Sequence, residues 1–352
     1  MSTSIDIGTA EVKLVELGKV NDNAVLNRIY AKSIWDDMNT YDPEKLQKAN
    51  WVGAIKHMCD DIKINPKKIK SLITALSGKN ISVKEVTTLD MKEEELYQTL
   101  EFEAKKHIPL DGTEAVMDYH ILGKNSSEID KIDILLVATT KNVLKQFDSI
   151  INEVGFKNSI FDAEPIALAN CLEHNYGISD DGLDIIINIG CSTSTLLVWG
   201  KEQTFFTREL DIAGNAFINE IIKKQGVNYT EAQNILFENG INCLGSGANI
   251  NNEVDNSFSL EVAEKTIINN LIDEIRKSLR YYMKSNNGNS NFKRIFLSGG
   301  FAHSEGLVEI FSDELRVETE VLNPFNKISS DMKIDNPSKY SVGVGLALRG
   351  LL

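Results

Sequence analysis

Three glycine turns decide the fold of this chain: residues 5–13 read IDIGTAEVK, residues 185–195 read IIINIGCSTST, and residues 295–302 read IFLSGGFA. Each stretch begins with apolar residues typical of a buried strand and then breaks at glycine. The first two continue in residues typical of a returning strand, so each is predicted to be a hairpin. Two similar hairpins in separate halves, followed by a Gly-Gly turn, indicate an internal duplication and a phosphate site built from both halves.

The residue types in these turns suit a triphosphate, which proteins hold with backbone N–H groups, hydroxyls, a cation and Mg²⁺. Gly8 and Gly190 let the main chain come close, because no Cβ intervenes. Asp6 is predicted to hold Mg²⁺ through water, since Mg²⁺ keeps part of its hydration shell. The other predicted contacts are the hydroxyls of Thr9, Ser192 and Thr193, the charge of Lys13, and the backbone of Ser298, Gly299 and Gly300.

Each turn taken alone has a simpler interpretation as an ordinary β-turn containing glycine. Their joint order and similar context favour a nucleotide site instead. The chain contains no G-x-x-x-x-G-K-[ST] motif, so the nucleotide is not expected to bind a P-loop.

Composition and charge narrow the function further. With 352 residues, 42% hydrophobic and 25% charged, the chain is long enough for two domains and has ordinary globular composition. The net charge of −14 argues against non-specific binding to nucleic acid or anionic lipid. The four cysteines form no C-x-x-C pair, which suits a reducing compartment. No apolar run approaches the roughly 20 residues that span a bilayer, so direct membrane insertion is not expected.

The order of predicted elements divides the chain. Residues 81–161 are predicted to form a compact βαββαβ unit, the order of a ferredoxin-like module. The polar stretch Gly177–Gly182 is predicted to separate the two halves. In the second half, helices are predicted at Asn215–Gln225, Thr230–Phe237 and Leu260–Met283.

A set of motifs is spread over nearly the full length of the chain: Ile5–Gly8 with Lys13–Leu17, Ala104–Pro109, Asp118-Tyr119, Asp162–Pro165, Phe206–Glu209, Glu274–Leu279, Leu297–Gly300 and Val321–Phe325. Together these motifs resemble the actin-like ATPase superfamily. Within it, they are similar to the FtsA-related PilM family of type IV pilus assembly. The combination is specific, although each motif alone is not.

This resemblance implies an α/β fold of the two-lobe, actin-like (ribonuclease H-like) type with ATP and Mg²⁺ between the lobes. The implied domains are a lobe-one core at 1–80 and 162–181, an FtsA-type inserted subdomain at 81–161, and lobe two at 182–352, with a mostly helical part at about 213–291. The resemblance also implies nucleotide contacts from Gly214, Asp273, Arg276 and Lys277. From the residues alone, Arg276 and Lys277 are as well explained by the solvated face of a long helix as by contact with a nucleotide.

The same resemblance implies a cytoplasmic scaffold in the inner-membrane platform of a type IV pilus. The family binds the cytoplasmic N-terminal peptide of an inner-membrane protein, PilN, in a groove beside the inserted subdomain. Other platform proteins, the pilus motor ATPase and self-association are further expected contacts. Two alternatives stay open: a sugar- or acetate-type kinase of the same superfamily, and a filament-forming protein like FtsA.

One residue departs from the family pattern, because the second motif carries Asn188 where the family has an aspartate. Asparagine keeps the size and an acceptor oxygen but loses the charge. Phosphoryl transfer depends on positioned charge and metal. We therefore expect Asp6 and Asn188 to occupy the catalytic positions of a site that binds ATP and hydrolyses it slowly or not at all. The alternative is that Asp6 alone suffices for Mg²⁺.

Overall fold

The structure is a computed structural model that describes residues 1–108, 111–125, 128–201, 203–244, 266–286 and 288–351. The strands are β1 (Ser2–Ile7), β2 (Glu11–Val20), β3 (Asn23–Ser33), β4 (Leu72–Leu76), β5 (Ser82–Leu89), β6 (Ala115–Lys124), β7 (Lys131–Thr140), β8 (Ser159–Ala163), β9 (Leu183–Ile189), β10 (Ser194–Trp199), β11 (Phe206–Leu210), β12 (Phe292–Ser298) and β13 (Glu318–Val321). The α-helices are α1 (Lys48–Asp61), α2 (Glu93–Lys105), α3 (Lys141–Val154), α4 (Glu164–Tyr176), α5 (Gly214–Gln225), α6 (Tyr229–Asn239), α7 (Ile267–Ser285), α8 (Leu307–Leu315) and α9 (Ser341–Arg349).

Two five-stranded sheets repeat one topology. The first sheet has the order β3-β2-β1-β4-β8 and the second has the order β11-β10-β9-β12-β13. In each sheet an antiparallel three-stranded meander continues into two parallel strands. Asp6 pairs with Lys13 next to the first turn, and Asn188 pairs with Thr195 next to the second. We call the part built on the first sheet the first lobe and the part built on the second sheet the second lobe.

Helices α4 and α9 lie between the two sheets. One apolar core joins them to Val15 and Ile73 of the first sheet and to Ile186 and Phe296 of the second. The two helices cross closely, because a Cβ on Gly345 would lie 1.8 Å from the carbonyl oxygen of Ala167. The end of the chain also lies against the first sheet, where the Ser4 hydroxyl donates to the Gly343 carbonyl over 2.6 Å, whereas lobe two was predicted to extend to residue 352.

The inserted unit is a three-stranded sheet, β5-β7-β6, with α2 on one face. Alternation along β7 explains this packing, since Ile134 and Leu136 face α2 while Leu135 and Val137 face the first lobe. The predicted fourth strand of the βαββαβ unit is corrected here: β8 pairs in parallel with β4 in the first sheet. All five residues of β4 are buried, so this strand needs a neighbour on both sides.

The helix that precedes β8 also belongs to the first lobe. Ile150 and Ile151 of α3 share a core with Ile55 and Met58 of α1. The inserted unit is thus βαββ rather than βαββαβ. The domain boundaries proposed from the sequence otherwise stay a prediction.

The second lobe carries the predicted helices as α5, α6 and α7. The start of the predicted helix Leu260–Met283, up to residue 265, lies outside the described residues; α7 begins at Ile267, after the capping residue Thr266. None of the helices in the described part of the chain is long and apolar enough to cross a membrane.

Candidate functional site

The two predicted hairpin turns meet across the gap between the lobes. The hydroxyl oxygen of Thr9, in the first turn, lies 2.8 Å from that of Ser192, in the second. In each turn the glycine N–H donates to the carbonyl three residues later, over 3.1 Å from Gly8 and 3.2 Å from Gly190. A Cβ on Gly8 would lie 2.8 Å from that carbonyl oxygen, and one on Gly190 would lie 2.7 Å from its own. Neither turn could keep this geometry with a side chain at the glycine.

A cavity of about 330 Å³ lies between the lobes beside these turns. It is lined by predicted site residues from all three glycine turns, namely Asp6, Gly8, Thr9, Lys13, Asn188, Gly190, Ser192, Thr193, Gly299 and Gly300. Asp6 and Asn188 thus face the same space from opposite lobes. The backbone N–H groups of Thr9 and Ser192 have no hydrogen-bond partner among the described residues. Such amides in a turn are suited to bind an anion.

Two tryptophans hold the first turn in place. The indole N–H of Trp51, in α1, donates to the Gly8 carbonyl over 2.9 Å. The indole N–H of Trp35 donates to the Thr9 carbonyl over 3.1 Å. The two carbonyls are therefore engaged from outside the turn, while the Thr9 N–H stays available to a ligand.

Charged and polar groups gather at one end of the cavity. Lys13 Nζ lies 3.0 Å from Asp6 Oδ2, and both side chains are largely buried. Burial lowers the pKa of Lys13, but the carboxylates of Asp6 and Glu11 and the hydrogen bond to Asp6 raise it by more, so its net pKa is raised. Lys13 is therefore a firmly charged ammonium group beside the turn.

Glu164 also lines the cavity and was not among the predicted site residues. The Asn188 amide donates to Glu164 Oε1 over 2.7 Å, and the Thr195 hydroxyl donates to the same oxygen over 2.9 Å. Burial and the nearby charge of Asp6 raise the pKa of Glu164. The sequence feature that could have identified Glu164 is the stretch Asp162–Pro165, in which this acidic residue begins the helix that follows β8.

The cavity wall also includes two aromatic rings. Phe237 and Phe301 line it with ring centroids 5.7 Å apart, and Phe237 remains 46% exposed. Beside them Gly299 has a φ of +93°, and a Cβ there would lie 2.3 Å from the Ile189 carbonyl oxygen. The Asn336 amide donates to the Gly300 carbonyl over 2.9 Å. Aromatic faces next to an open glycine turn suit a planar base.

Two predicted residues lie next to the cavity without lining it. The side chain of Ser298 is buried and donates to the Ser338 carbonyl over 3.4 Å. The N–H of Gly214 donates to the Gly190 carbonyl over 3.0 Å. A Cβ on Gly214 would also collide with the ring of Phe301, at 2.1 Å. Both residues support the turns, and their predicted contact with nucleotide stays a prediction.

The predicted residues of α7 are not brought to the cavity. The buried side of α7 includes Ile268, Leu271, Ile272, Ile275 and Leu279, which turns the residues between them away from the core. Arg276 instead donates to the carbonyl and carboxylate of Glu314, and Arg276 Nη1 lies 3.5 Å from Asp273 Oδ1. Lys277 Nζ lies 2.6 Å from Glu274 Oε1. This geometry does not support the predicted nucleotide contacts of Asp273, Arg276 and Lys277.

A second, larger cavity of about 600 Å³ lies between the inserted sheet and the first lobe. Its walls include β6 residues from Val116 to His120 and the side chains of Leu135, Val137, Phe161 and Ile166. Polar groups stand around it, namely Asp118, His120, Asn170 and Arg349. Arg349 Nη1 lies 2.7 Å from Asp162 Oδ2, an ion pair without hydrogen-bond alignment. β6 is at the edge of its sheet, so its outer backbone groups are not paired within that sheet.

Comparison with known proteins agrees with this architecture. A family model described as type IV pilus assembly protein PilM matches residues 4–351. A solved structure described as the PilM-PilN type IV pilus biogenesis complex has a TM-score of 0.80 at 19% identity, covering 100% of this chain and 98% of the other. The ethanolamine utilization protein EutJ from Carboxydothermus hydrogenoformans has a TM-score of 0.54 at 14% identity, covering 99% of this chain and 89% of the other. These likenesses confirm the predicted actin-like ATPase fold.

Proposed function

The chain belongs to the family of type IV pilus assembly proteins PilM, and from this premise we propose that it is an ATP-binding scaffold of the pilus inner-membrane platform. In this proposal it works in the cytoplasm and reaches the membrane through a PilN-like partner, whose N-terminal peptide it binds. The observation that carries the proposal is the pair of separate cavities, one between the hairpin turns and one beside the inserted sheet. Further platform proteins, the motor ATPase and self-association stay predictions.

The inter-lobe cavity supports ATP as the ligand. Its lining offers the Thr9 and Ser192 amides, hydroxyls and Lys13, which match the negative charge and acceptor oxygens of phosphates. The same lining includes Phe237 and Phe301, which match an adenine ring. The cavity thus contains groups suited to both parts of a nucleoside triphosphate.

The donor set beside the turns also fits Mg²⁺. Asp6 and Glu164 supply carboxylates and Asn188 supplies an amide oxygen, which are the hard oxygen ligands that this ion prefers, often through water. Bound Mg²⁺ would neutralise charge on the phosphate oxygens. Asp6, Glu164 and Asn188 are the residues that would hold it.

The same residues support slow or absent hydrolysis. Hydrolysis requires a water molecule positioned at the γ-phosphate by a side chain that either accepts its proton or is free to orient it. Asn188 has no charge to accept a proton, and its amide instead donates to Glu164 Oε1, the oxygen that also accepts from Thr195. Glu164 Oε1 thus already accepts two hydrogen bonds, so this oxygen is not free to accept the proton of a water molecule.

The second cavity supports an extended peptide as its ligand. An edge strand can accept an added strand through backbone hydrogen bonds, and the apolar pockets beside it then select alternate side chains. Here the edge is β6, the apolar wall includes Leu135, Val137 and Phe161, and Arg349 and Asp118 stand around it. An N-terminal peptide that leads into a membrane helix fits this arrangement.

A contact between the inserted sheet and the second lobe offers a route that couples the two cavities. Glu85, in β5, accepts the backbone N–H of Phe205 over 2.8 Å. Lys79 and Asp211 form an exposed ion pair of 3.2 Å across the same junction. Nucleotide that draws the lobes together would move this junction, and with it the sheet that borders the peptide groove.

Calorimetric titration of the purified chain tests the proposal. ATP with Mg²⁺ is titrated first, followed by a synthetic peptide with the N-terminal sequence of the PilN-like protein from the same organism, with and without ATP. We expect saturable binding of both ligands at one site each, and a peptide affinity that depends on ATP. Absence of peptide binding in both nucleotide states would remove the scaffold role.

A further inference from the structure

Residues 34–42, which we call the strap, leave the first lobe after β3 and pack against the second lobe. Met38 and Tyr41 contact the apolar core of the second lobe, although the chain reaches them from the first. The Tyr41 ring contacts both Trp35 and Tyr229, each with a centroid distance of 5.3 Å. Met38 also lines the inter-lobe cavity. The strap thus connects the lobes along one side of this cavity.

Hydrogen bonds fix the strap to the second lobe. Its short 3₁₀ turn, Met38–Thr40, is capped by Asp37, which accepts the Asn39 N–H over 2.9 Å. Asn39 Oδ1 in turn accepts the backbone N–H of Thr230, in the first turn of α6, over 3.1 Å. Helix N-termini leave backbone donors without intrahelical partners, so Asn39 supplies a cap from the opposite lobe.

The hydroxyl of Tyr41 reaches the second phosphate turn. It lies 2.8 Å from Ser192 Oγ, and the thiol of Cys191 donates to it over 3.2 Å. A hydroxyl has one proton and two acceptor lone pairs, so Tyr41 can accept from Cys191 and donate to Ser192. Ser192 then directs its own proton to Thr9, or to a phosphate oxygen in the cavity.

Burial raises the pKa of Tyr41, with a further contribution from Cys191. Its hydroxyl therefore keeps its proton at neutral pH and remains a donor. Tyr41 acts here as a positioning residue for Ser192, because it orients the hydroxyl that meets the phosphate.

We propose that the strap is a latch over the nucleotide cavity, which holds the two lobes together and must release the second lobe before nucleotide can leave. This inference rests on the proposed function, since it concerns the same cavity. Its contacts with the second lobe run through the Tyr41 hydroxyl, the Asn39 amide oxygen and the aromatic rings, so single substitutions can weaken it without removing the turns.

Stopped-flow release of a fluorescent nucleotide tests the latch. The chain is loaded with MANT-ATP and Mg²⁺ and chased with excess ATP, for the wild type, Tyr41→Phe, Asn39→Ala and the control Tyr30→Phe. Tyr30 donates to Asp61 over 2.9 Å on the surface, so the control removes the same kind of hydrogen bond away from the cavity. Since a hydrogen bond contributes about 0.5–1.5 kcal/mol, we expect each of the two strap variants to release nucleotide about two- to tenfold faster.

A second experiment measures the strap without nucleotide. Hydrogen exchange at the Thr230 amide reports the contact between strap and α6 directly, and we expect faster exchange in Asn39→Ala than in the control. Equal release rates in all four proteins, with nucleotide bound, would overturn the latch and leave the proposed function standing. Failure of the wild type to bind MANT-ATP would overturn the proposed function and the latch together.

Discussion

The side-chain amide of Asn188, in the second lobe, donates to Oε1 of Glu164 over 2.7 Å. Glu164 is the first residue of helix α4, which lies between the two sheets. The pair explains why an amide rather than a carboxylate is stable at this position. An ionised carboxylate there would face the Glu164 carboxylate at hydrogen-bond distance in place of a donor, and both groups are beside Asp6 in the same cavity. Like charges this close disfavour ionisation of both.

The first prediction concerns Asn188→Asp. In EDTA we expect a loss of about 2 kcal/mol in the free energy of unfolding, because a hydrogen bond is replaced by charge repulsion. With saturating Mg²⁺ and ATP we expect that loss to shrink and the rate of phosphate release to rise above that of the wild type. Urea unfolding and a phosphate-release assay measure the two effects. Asn27→Asp, an exposed position on β3, is the control, and equal losses in the two variants would contradict the pairing.

The second prediction concerns pH. Because the pKa of Glu164 is raised in the folded chain, the folded state binds a proton at pH values where the unfolded chain has lost it. Stability attributable to this group therefore falls as the pH rises from the unfolded pKa through the folded one. We expect Glu164→Gln, which keeps both hydrogen-bond contacts, to be more stable than the wild type at pH 7.5 by about 1 kcal/mol. That advantage should shrink towards pH 5.

The control for this pH series is Glu173→Gln, on the exposed side of the same helix α4. It should differ little from the wild type at either pH. A Glu164→Gln variant that is less stable than the wild type at pH 7.5 would show that the carboxylate is stabilised, not strained, by its surroundings.

The parts of this site that could be predicted from the sequence are those whose residues are adjacent in the chain. The hairpin turns around Gly8 and Gly190 were predictable, because strand, glycine and returning strand are adjacent in the chain. Residue Glu164 was missed because its role depends on where α4 begins relative to the two turns, which is a tertiary fact. The sequence offered only its position after β8.

Two predictions differ from what the structure supports, for related reasons. The order of elements before β8 fits a βαββαβ module. However, β8 pairs with the buried strand β4 of the first sheet, and this pairing depends on the tertiary structure. The helix α7 was predicted, yet Arg276 and Lys277 do not line the cavity, because an apolar stripe of this helix fills the core of the second lobe and these two residues lie outside that stripe. That stripe was readable in the sequence, whereas the family resemblance favoured the opposite face.

The third prediction concerns the peptide groove. We expect Leu135→Asp to weaken binding of the PilN-like peptide at least about tenfold, because a charge in an apolar groove costs desolvation on binding. Leu89→Asp, an exposed position on the same sheet that does not line the groove, should leave the affinity unchanged. Fluorescence anisotropy with a labelled peptide measures both. Equal affinities would place the peptide elsewhere.

The fourth prediction concerns coupling between the cavities. Glu85→Ala removes the acceptor of the Phe205 N–H at the junction of the inserted sheet and the second lobe. We expect ATP and peptide each to bind with nearly wild-type affinity while the effect of one on the other disappears. Glu114→Ala, which removes an exposed ion pair of 2.6 Å with Lys141 in the inserted unit, is the control. Undiminished coupling in Glu85→Ala would rule out this route.

The central claim, that hairpins from both lobes jointly hold one nucleotide, is tested most directly by calorimetric ATP titration of one variant in each turn region. Lys13→Gln removes charge beside the first turn, and Thr193→Val removes a hydroxyl from the second; Lys19→Gln and Thr99→Val are the matched controls. The account predicts one ATP site in the wild type, an affinity loss of about tenfold or more in Lys13→Gln and severalfold in Thr193→Val, and no change in the controls. Wild-type affinity in both turn variants, or loss in only one of them, would contradict it.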